Sequence, residues 1–273
     1  MKNIKEIHTF GTSFTAGGGY NWDLTEEIMS EHPDLRHRFN ELHNFYDEEP
    51  KTKFHYSWPG QLKVLTGDDV EVFNHAKEGF GNETMYRITN DLLWDGNEPK
   101  NIDDKLFIYE FSGLGRKEFW SNTVSDFCVL NYGQSGGLRD LDDIKYVGIN
   151  QEYRKKCTRV TPELFENTAS VMKNWISETI NLIEQMKLLE SNNHMFIDSL
   201  LYRDVNFYIV SPPEYPLNKI KEKCITFDGK YDFVEFVYDS GGLHIEDDIN
   251  VRDKHLSLKG NKMVADTIYK KLK

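Results

Sequence analysis

The sequence is short of cysteine, of basic charge and of long apolar runs, and each shortage closes off a class of protein. Three cysteines, Cys128, Cys157 and Cys224, lie far apart among 273 residues, with no CxxC pair. An odd, scattered set reads as reduced thiols in a reducing compartment, and it predicts neither a disulfide framework nor a structural zinc site. Lys and Arg number 33 against 45 Asp and Glu, a net charge of −12. A nucleic-acid binder needs a basic face to neutralise phosphates, and an anionic membrane surface attracts the same sign. Neither partner is expected. No run approaches the ~18 apolar residues of a membrane span, and the opening MKNIKEIHTFG lacks the apolar stretch of a signal peptide. The expectation is a cytoplasmic protein.

What is present suffices for a core. Seventeen Phe, 14 Tyr and 5 Trp are too many aromatics for a disordered chain. A mean hydropathy of −0.62 fits a packed core with long polar excursions. Strand-like runs rich in Val, Ile, Phe and Tyr occur at Ile4–Phe10, Val70–Asn74, Lys105–Phe111, Val205–Val210 and Phe233–Tyr238. Helical spacing of apolar residues falls between them, at Trp58–Leu65, Asn82–Trp94 and Pro162–Leu189, and again at Lys259–Leu272. Strands alternating with helices predict a parallel sheet covered on both faces, in one α/β domain over residues 1–273.

Two stretches break the alternation. Residues 20–56 are polar and hold His32, His37, His43 and His55; residues 113–160 are Gly-rich and charged. Both read as excursions from the rim of the sheet, where long loops bind or cover ligands. The histidines lack HxxxH or HxH spacing, so a solvated surface is expected there rather than a metal site.

Three segments carry residues with chemical potential. Phe10-Gly11-Thr12-Ser13-Phe14-Thr15-Ala16-Gly17 follows the first strand, where sites form in parallel sheets. Ser13 there is a nucleophile if a base reaches it, a helix-capping serine if none does. A phosphate loop is a third reading, although neither GxxxxGK[ST] nor GxGxxG is present. Asn74-His75-Ala76-Lys77-Glu78-Gly79-Phe80-Gly81-Asn82 follows the second strand. Its glycines either let backbone N–H groups approach an oxyanion or simply form a loop capped by Asn82. Asp253-Lys254-His255-Leu256-Ser257 precedes the last helix. His255 is a base oriented by Asp253, or a surface histidine beside a capping serine.

Taken in order, these three segments resemble the blocks of the SGNH (GDSL-like) hydrolase family, from Phe10 to Leu272. YSWPGQL and EFSGLGRKEF resemble a divergent subgroup associated with marine phages. The resemblance implies a three-layer α/β/α flavodoxin-like fold, with a central parallel five-stranded sheet and the two polar insertions. It also implies cleavage of small acyl esters without a cofactor, including O-acetyl groups on a glycan. Ser13 would be the nucleophile, His255 the base and Asp253 its orienting acid; backbone N–H groups of Ser13 and Gly79 would line the oxyanion hole.

Two departures from the family pattern stand out. Its Gly-x-Asn-Asp block is replaced by Glu110-Phe111-Ser112-Gly113-Leu114-Gly115-Arg116. Ser112, Gly113 or Asn82 would have to supply the missing oxyanion donor, and Arg116 would bind an anionic substrate group or pair with a loop acid. The acid normally three residues before the histidine is Arg252, which leaves Asp253 or, failing it, Asp248. Trp22, Trp58, Trp120 and Tyr132 are candidate sugar-stacking rings. The net charge favours a neutral acylated substrate. The competing expectation is an inactive relative that binds carbohydrate or protein, as a virion component would; a nucleotide or flavin binder lacks its phosphate loop.

Overall fold

A computed structural model describes residues 3–18, 50–77, 81–96, 98–113, 116–121, 126–131, 148–149, 182–213, 215–244 and 253–273. In chain order the strands are β1 (Glu6–Phe10), β2 (Glu71–Asn74), β3 (Trp94–Asp95), β4 (Glu98–Pro99), β5 (Lys105–Glu110), β6 (Arg116–Ser121), β7 (Asp126–Asn131), β8 (Gly148–Ile149), β9 (Phe207–Ser211), β10 (Leu243–His244) and β11 (Asp253–Leu256). The helices are α1 (Ser13–Ala16), α2 (Pro50–Tyr56), α3 (Trp58–Thr66), α4 (Asn82–Leu93), α5 (Leu182–Tyr202), α6 (Leu217–Ile220), α7 (Phe233–Asp239) and α8 (Leu258–Leu272).

The main sheet runs β2-β1-β5-β9, with all neighbours parallel. Strand β5 is buried from Leu106 to Glu110 without alternation, as a central strand covered on both faces must be. Its side chains divide between two cores. Leu106 and Ile108 pack with Trp58 and Leu62 of α3, Val237 of α7 and Val264 of α8. Phe107 and Tyr109 pack with Met85 of α4 and Ile197 of α5 on the other face. The result is three layers, α/β/α.

Four parallel strands are described where five were expected, and Phe233–Tyr238 is the difference. That segment is helix α7, because Asp232 accepts the Val234 N–H as an N-cap and burial falls on Phe233 and Val237 at helical spacing. Capping and the four-residue period outweigh the strand propensity of its Val, Phe and Tyr. Helix α5 runs on to Tyr202, past the expected end at Leu189, since Leu189, Asn193, Ile197 and Leu200 continue one buried stripe; residues 162–181 lie outside the described residues. Within 113–160, strands β6, β7 and β8 form an antiparallel sheet rather than loop. Within 20–56 only α2 is described, and among its residues His55 is exposed. Among the described residues no helix is long and apolar enough to cross a membrane.

A neutral histidine pair lies between β1 and the end of β2. His8 Nε2 stands 3.0 Å from Glu6 Oε2, and His8 Nδ1 stands 2.9 Å from His75 Nε2. A carboxylate only accepts, so His8 donates through Nε2 and receives the His75 Nε2–H on Nδ1. The His8 ring stacks between Phe73, His75 and Phe107. Burial holds both histidines below the usual range, His75 at about 4, with a smaller contribution from His8. An unfolded chain takes up that proton near pH 6.5, so the unfolded state binds more protons between these values. Stability carried by the neutral pair is therefore present above pH 6.5 and lost as the pH falls toward 4. Urea unfolding at pH 7 and 4.5 should show the wild type losing about 2 kcal/mol more than His75→Gln.

Candidate active site

Sheet order places the site. The chain steps from β1 outward to β2, then returns across β1 to β5, so the switch point lies between the carboxyl ends of β1 and β5. Ser13 follows β1 there, and Ser112 follows β5. Thr12 occupies the N-cap position of α1, and Ser13 is the first residue of that single turn. Gly17 closes the turn in the left-handed region, at φ 81°, and Gly18 N–H donates to the Ser13 carbonyl at 2.7 Å.

A buried carboxylate supports the turn from below. Glu110, the last residue of β5, is 4% exposed. Its Oε2 accepts the N–H groups of Thr12 at 3.2 Å and Thr15 at 3.1 Å, together with the Thr15 hydroxyl. Its Oε1 accepts the Thr12 hydroxyl at 2.6 Å. Burial holds this carboxyl above the usual carboxylate range, against four hydrogen bonds that pull the other way. Trp58 Nε1 donates to Thr15 Oγ1 at 3.1 Å, which turns the Thr15 proton toward Glu110. From β2, Asn74 Nδ2 donates to the Thr15 carbonyl at 2.8 Å.

His255 reaches the same turn from strand β11. The first turn of α8 is capped by Ser257, whose Oγ accepts Gly260 N–H and donates to the Gly242 carbonyl. This anchors the end of β11 on the β10 side, where Leu243 pairs with Leu256. The His255 ring then lies over Phe14, centroids 5.2 Å apart, with its Nε2 edge against Gly18. A β-carbon on Gly18 would stand 2.9 Å from His255 Nε2 and 3.1 Å from the Ser13 carbonyl oxygen. The two residues thus meet over Gly18, but their side chains are not hydrogen-bonded to each other. Asp253 opens β11, two residues before His255. Asp248 and Gly79 lie outside the described residues.

Asn82 and Ser112 are joined by hydrogen bonds that occupy the Asn82 amide and the Ser112 N–H. Asn82 Oδ1 accepts the Ser112 N–H at 2.7 Å and the Ser112 hydroxyl at 3.0 Å. Asn82 Nδ2 spends its two hydrogens on the Ser112 carbonyl and on Asn193 Oδ1, each at 3.1 Å. Asn82 is also the first residue of α4, not its cap; Gly81 holds the cap position. Gly113 is exposed, with open space where a side chain would project. Arg116 crosses the start of α4, its Cβ 3.1 Å from where a Gly81 side chain would begin. Burial pushes its guanidinium down, and the nearby Glu110 charge pushes it back.

Of the rings considered for sugar stacking, Trp58 is fully buried core. Trp22, Tyr132 and the side chain of Trp120 lie outside the described residues. Among the described residues no three His, Cys, Asp or Glu side chains gather as a metal ion requires. Cys224 is a free, buried thiol raised to about 11 by burial, an inert core residue.

Sequence reasoning passed over Glu110, Thr12 and Thr15. The available signal was an acid ending an otherwise apolar strand, which demands donors wherever the strand is central. Gly11 is part of the same arrangement: a β-carbon there would stand 2.4 Å from Glu110 Oε2. Gly11→Ala should therefore cost about 1–3 kcal/mol, as overpacking of a close contact does, whereas Gly113→Ala should cost almost nothing. Urea denaturation of both variants checks the contrast.

No protein-family model matches the sequence. No curated protein is significantly similar to it. A solved structure from Desulfitobacterium hafniense DCB-2, of a protein assigned to the lipolytic G-D-S-L family, aligns over 98% of this chain and 99% of its own, at 12% identity and a TM-score of 0.34. So loose a superposition carries no weight, and the α/β architecture rests on the sheet order and the two cores described above.

Proposed function

We propose that the protein is a serine hydrolase that cleaves small acyl esters through an acyl-enzyme. The observation that carries this reading is the meeting of the Ser13 turn and the Nε2 edge of His255 over Gly18, at the switch point of the parallel sheet. Ser13 Oγ attacks the ester carbonyl carbon while its proton passes to His255. Collapse of the tetrahedral species breaks the C–O bond, and His255 returns the proton to the departing alcohol. Water, deprotonated by His255, then attacks acyl-Ser13 and releases the carboxylic acid. Asp253, or Asp248 in its place, would hold the imidazole. The N–H groups of Ser13, Gly79 and Gly113 remain as oxyanion donors once Asn82 and Ser112 are spent on each other. Arg116 would meet an anionic group of the substrate, and acetyl esters of a glycan fit the neutral substrate that the net charge favours.

A second reading has one observation in its favour. Loss of an oxyanion donor typically costs about 10²–10³ in kcat, and the Asn82–Ser112 pairing removes two candidates. That shortage suits a catalytically weak relative that binds carbohydrate or protein, such as a virion component. The hydrolase reading is preferred because a pure binding role leaves the His255 edge at Gly18 without a purpose.

Purified protein should hydrolyse p-nitrophenyl acetate and take one fluorophosphonate adduct, and both signals should vanish in Ser13→Ala. No adduct by intact mass, with turnover equal to the Ser13→Ala background, would establish the binding module instead. His255→Ala should remove nearly all activity, and Gly18→Ala, which displaces the ring, should lower kcat by about 10²-fold. Comparison of Asp253→Asn with Asp248→Asn identifies the orienting acid, since only its loss should cost orders of magnitude.

A further inference from the structure

We propose that Glu110 is a positioning residue for Ser13, a role that rests on the hydrolase reading. A fully buried carboxylate needs several donors, and here all of them come from the one turn that carries the serine. Thr12 and Thr15 flank Ser13 and Phe14, and each gives Glu110 both its N–H and its hydroxyl. The serine is thus held on both sides by bonds to a single rigid point at the end of the central strand. These bonds leave the Ser13 N–H outside the carboxylate's grasp, so the clamp does not compete with the oxyanion donor.

The surroundings allow little alternative placement. Gly11 lacks a side chain where one would collide with Glu110 Oε2 and with Thr15 Oγ1, 2.5 Å away. Trp58 fixes which way the Thr15 hydroxyl points. The Thr12 and Thr15 amides, and the Thr15 hydroxyl that Trp58 turns toward it, all present donors to the carboxyl oxygens. The attack geometry of Ser13 Oγ toward an ester and toward His255 follows from the attitude of this turn. A displacement of about 1 Å can cost 10²-fold in rate.

Glu110→Gln separates positioning from folding. Glutamine keeps one oxygen for the Thr12 and Thr15 amides and turns its NH2 toward the Thr12 hydroxyl, which can rotate to accept. The Thr15 hydroxyl and the two amides are then left to share one neutral amide oxygen. Fluorophosphonate labelling should still reach one adduct per chain, while its rate constant and kcat fall about tenfold and KM stays within about twofold. Thr12→Val, which removes only the hydroxyl contact, should give a smaller loss of the same kind and decides the matter should Glu110→Gln not fold. Unchanged rate constants overturn the proposal. So does a loss in labelling stoichiometry with the rate per labelled site intact, which marks a structural role alone. A wild-type chain without Ser13-dependent labelling or turnover defeats the hydrolase reading, and the positioning role falls with it; that failure is visible before any variant is made.

Discussion

A carboxyl group sealed at the end of a central β-strand ties together the elements around the candidate site. Glu110 gains no water at 4% exposure, so the surrounding chain must supply donors to the carboxylate or lose the fold. The donors come from the turn after β1. Threonine is required at 12 and 15 for its hydroxyl, glycine at 11 for the space the carboxylate fills, and Trp58 at the head of α3 for the bond that orients Thr15. One interaction ties β5, β1 and α3 together at the switch point of the sheet.

A second polar arrangement holds the chain that leaves β5. Asn82 binds Ser112 through both its oxygen and its nitrogen, and reaches Asn193 on α5, which also accepts the Tyr86 hydroxyl. The chain leaving β5 is thereby locked to α4 and α5. Strand β6 adds to this lock, since Glu118 binds Arg87 at 2.9 Å as well as Thr84 of α4. Rigidity is obtained by consuming hydrogen bonds that a ligand could otherwise use.

His255 approaches from a separate construction. The Gly242 carbonyl lies 2.2 Å from where a Gly260 side chain would begin, so α8 starts almost in contact with the backbone before β10. The Ser257 cap and the Gly242 contact set the end of β11, and His255 lies one residue inside that anchor. The contacts to Glu110 and the helix cap are independent devices, and they bring the Ser13 turn and the His255 ring together at Gly18.

The sequence by itself determined the layered α/β plan, because a buried parallel strand such as Leu106–Tyr109 must read as an unbroken apolar run and an amphipathic helix such as α8 must show its period. It also placed Ser13 just beyond β1 and His255 just before α8, since the ends of a strand and the cap of a helix follow local rules. Phe233–Tyr238 reads as a strand because its residues are strand formers, and only the Asp232 cap and packing of Phe233 and Val237 against the core select the helix. Asn82 and Ser112 looked available as donors, for their engagement with each other spans 30 residues of chain. Glu110 and Thr12 are 98 apart. No local pattern records which buried acid will meet which hydroxyl; the tertiary structure decided that, because a carboxylate out of water accepts whatever donors the folded chain brings within reach.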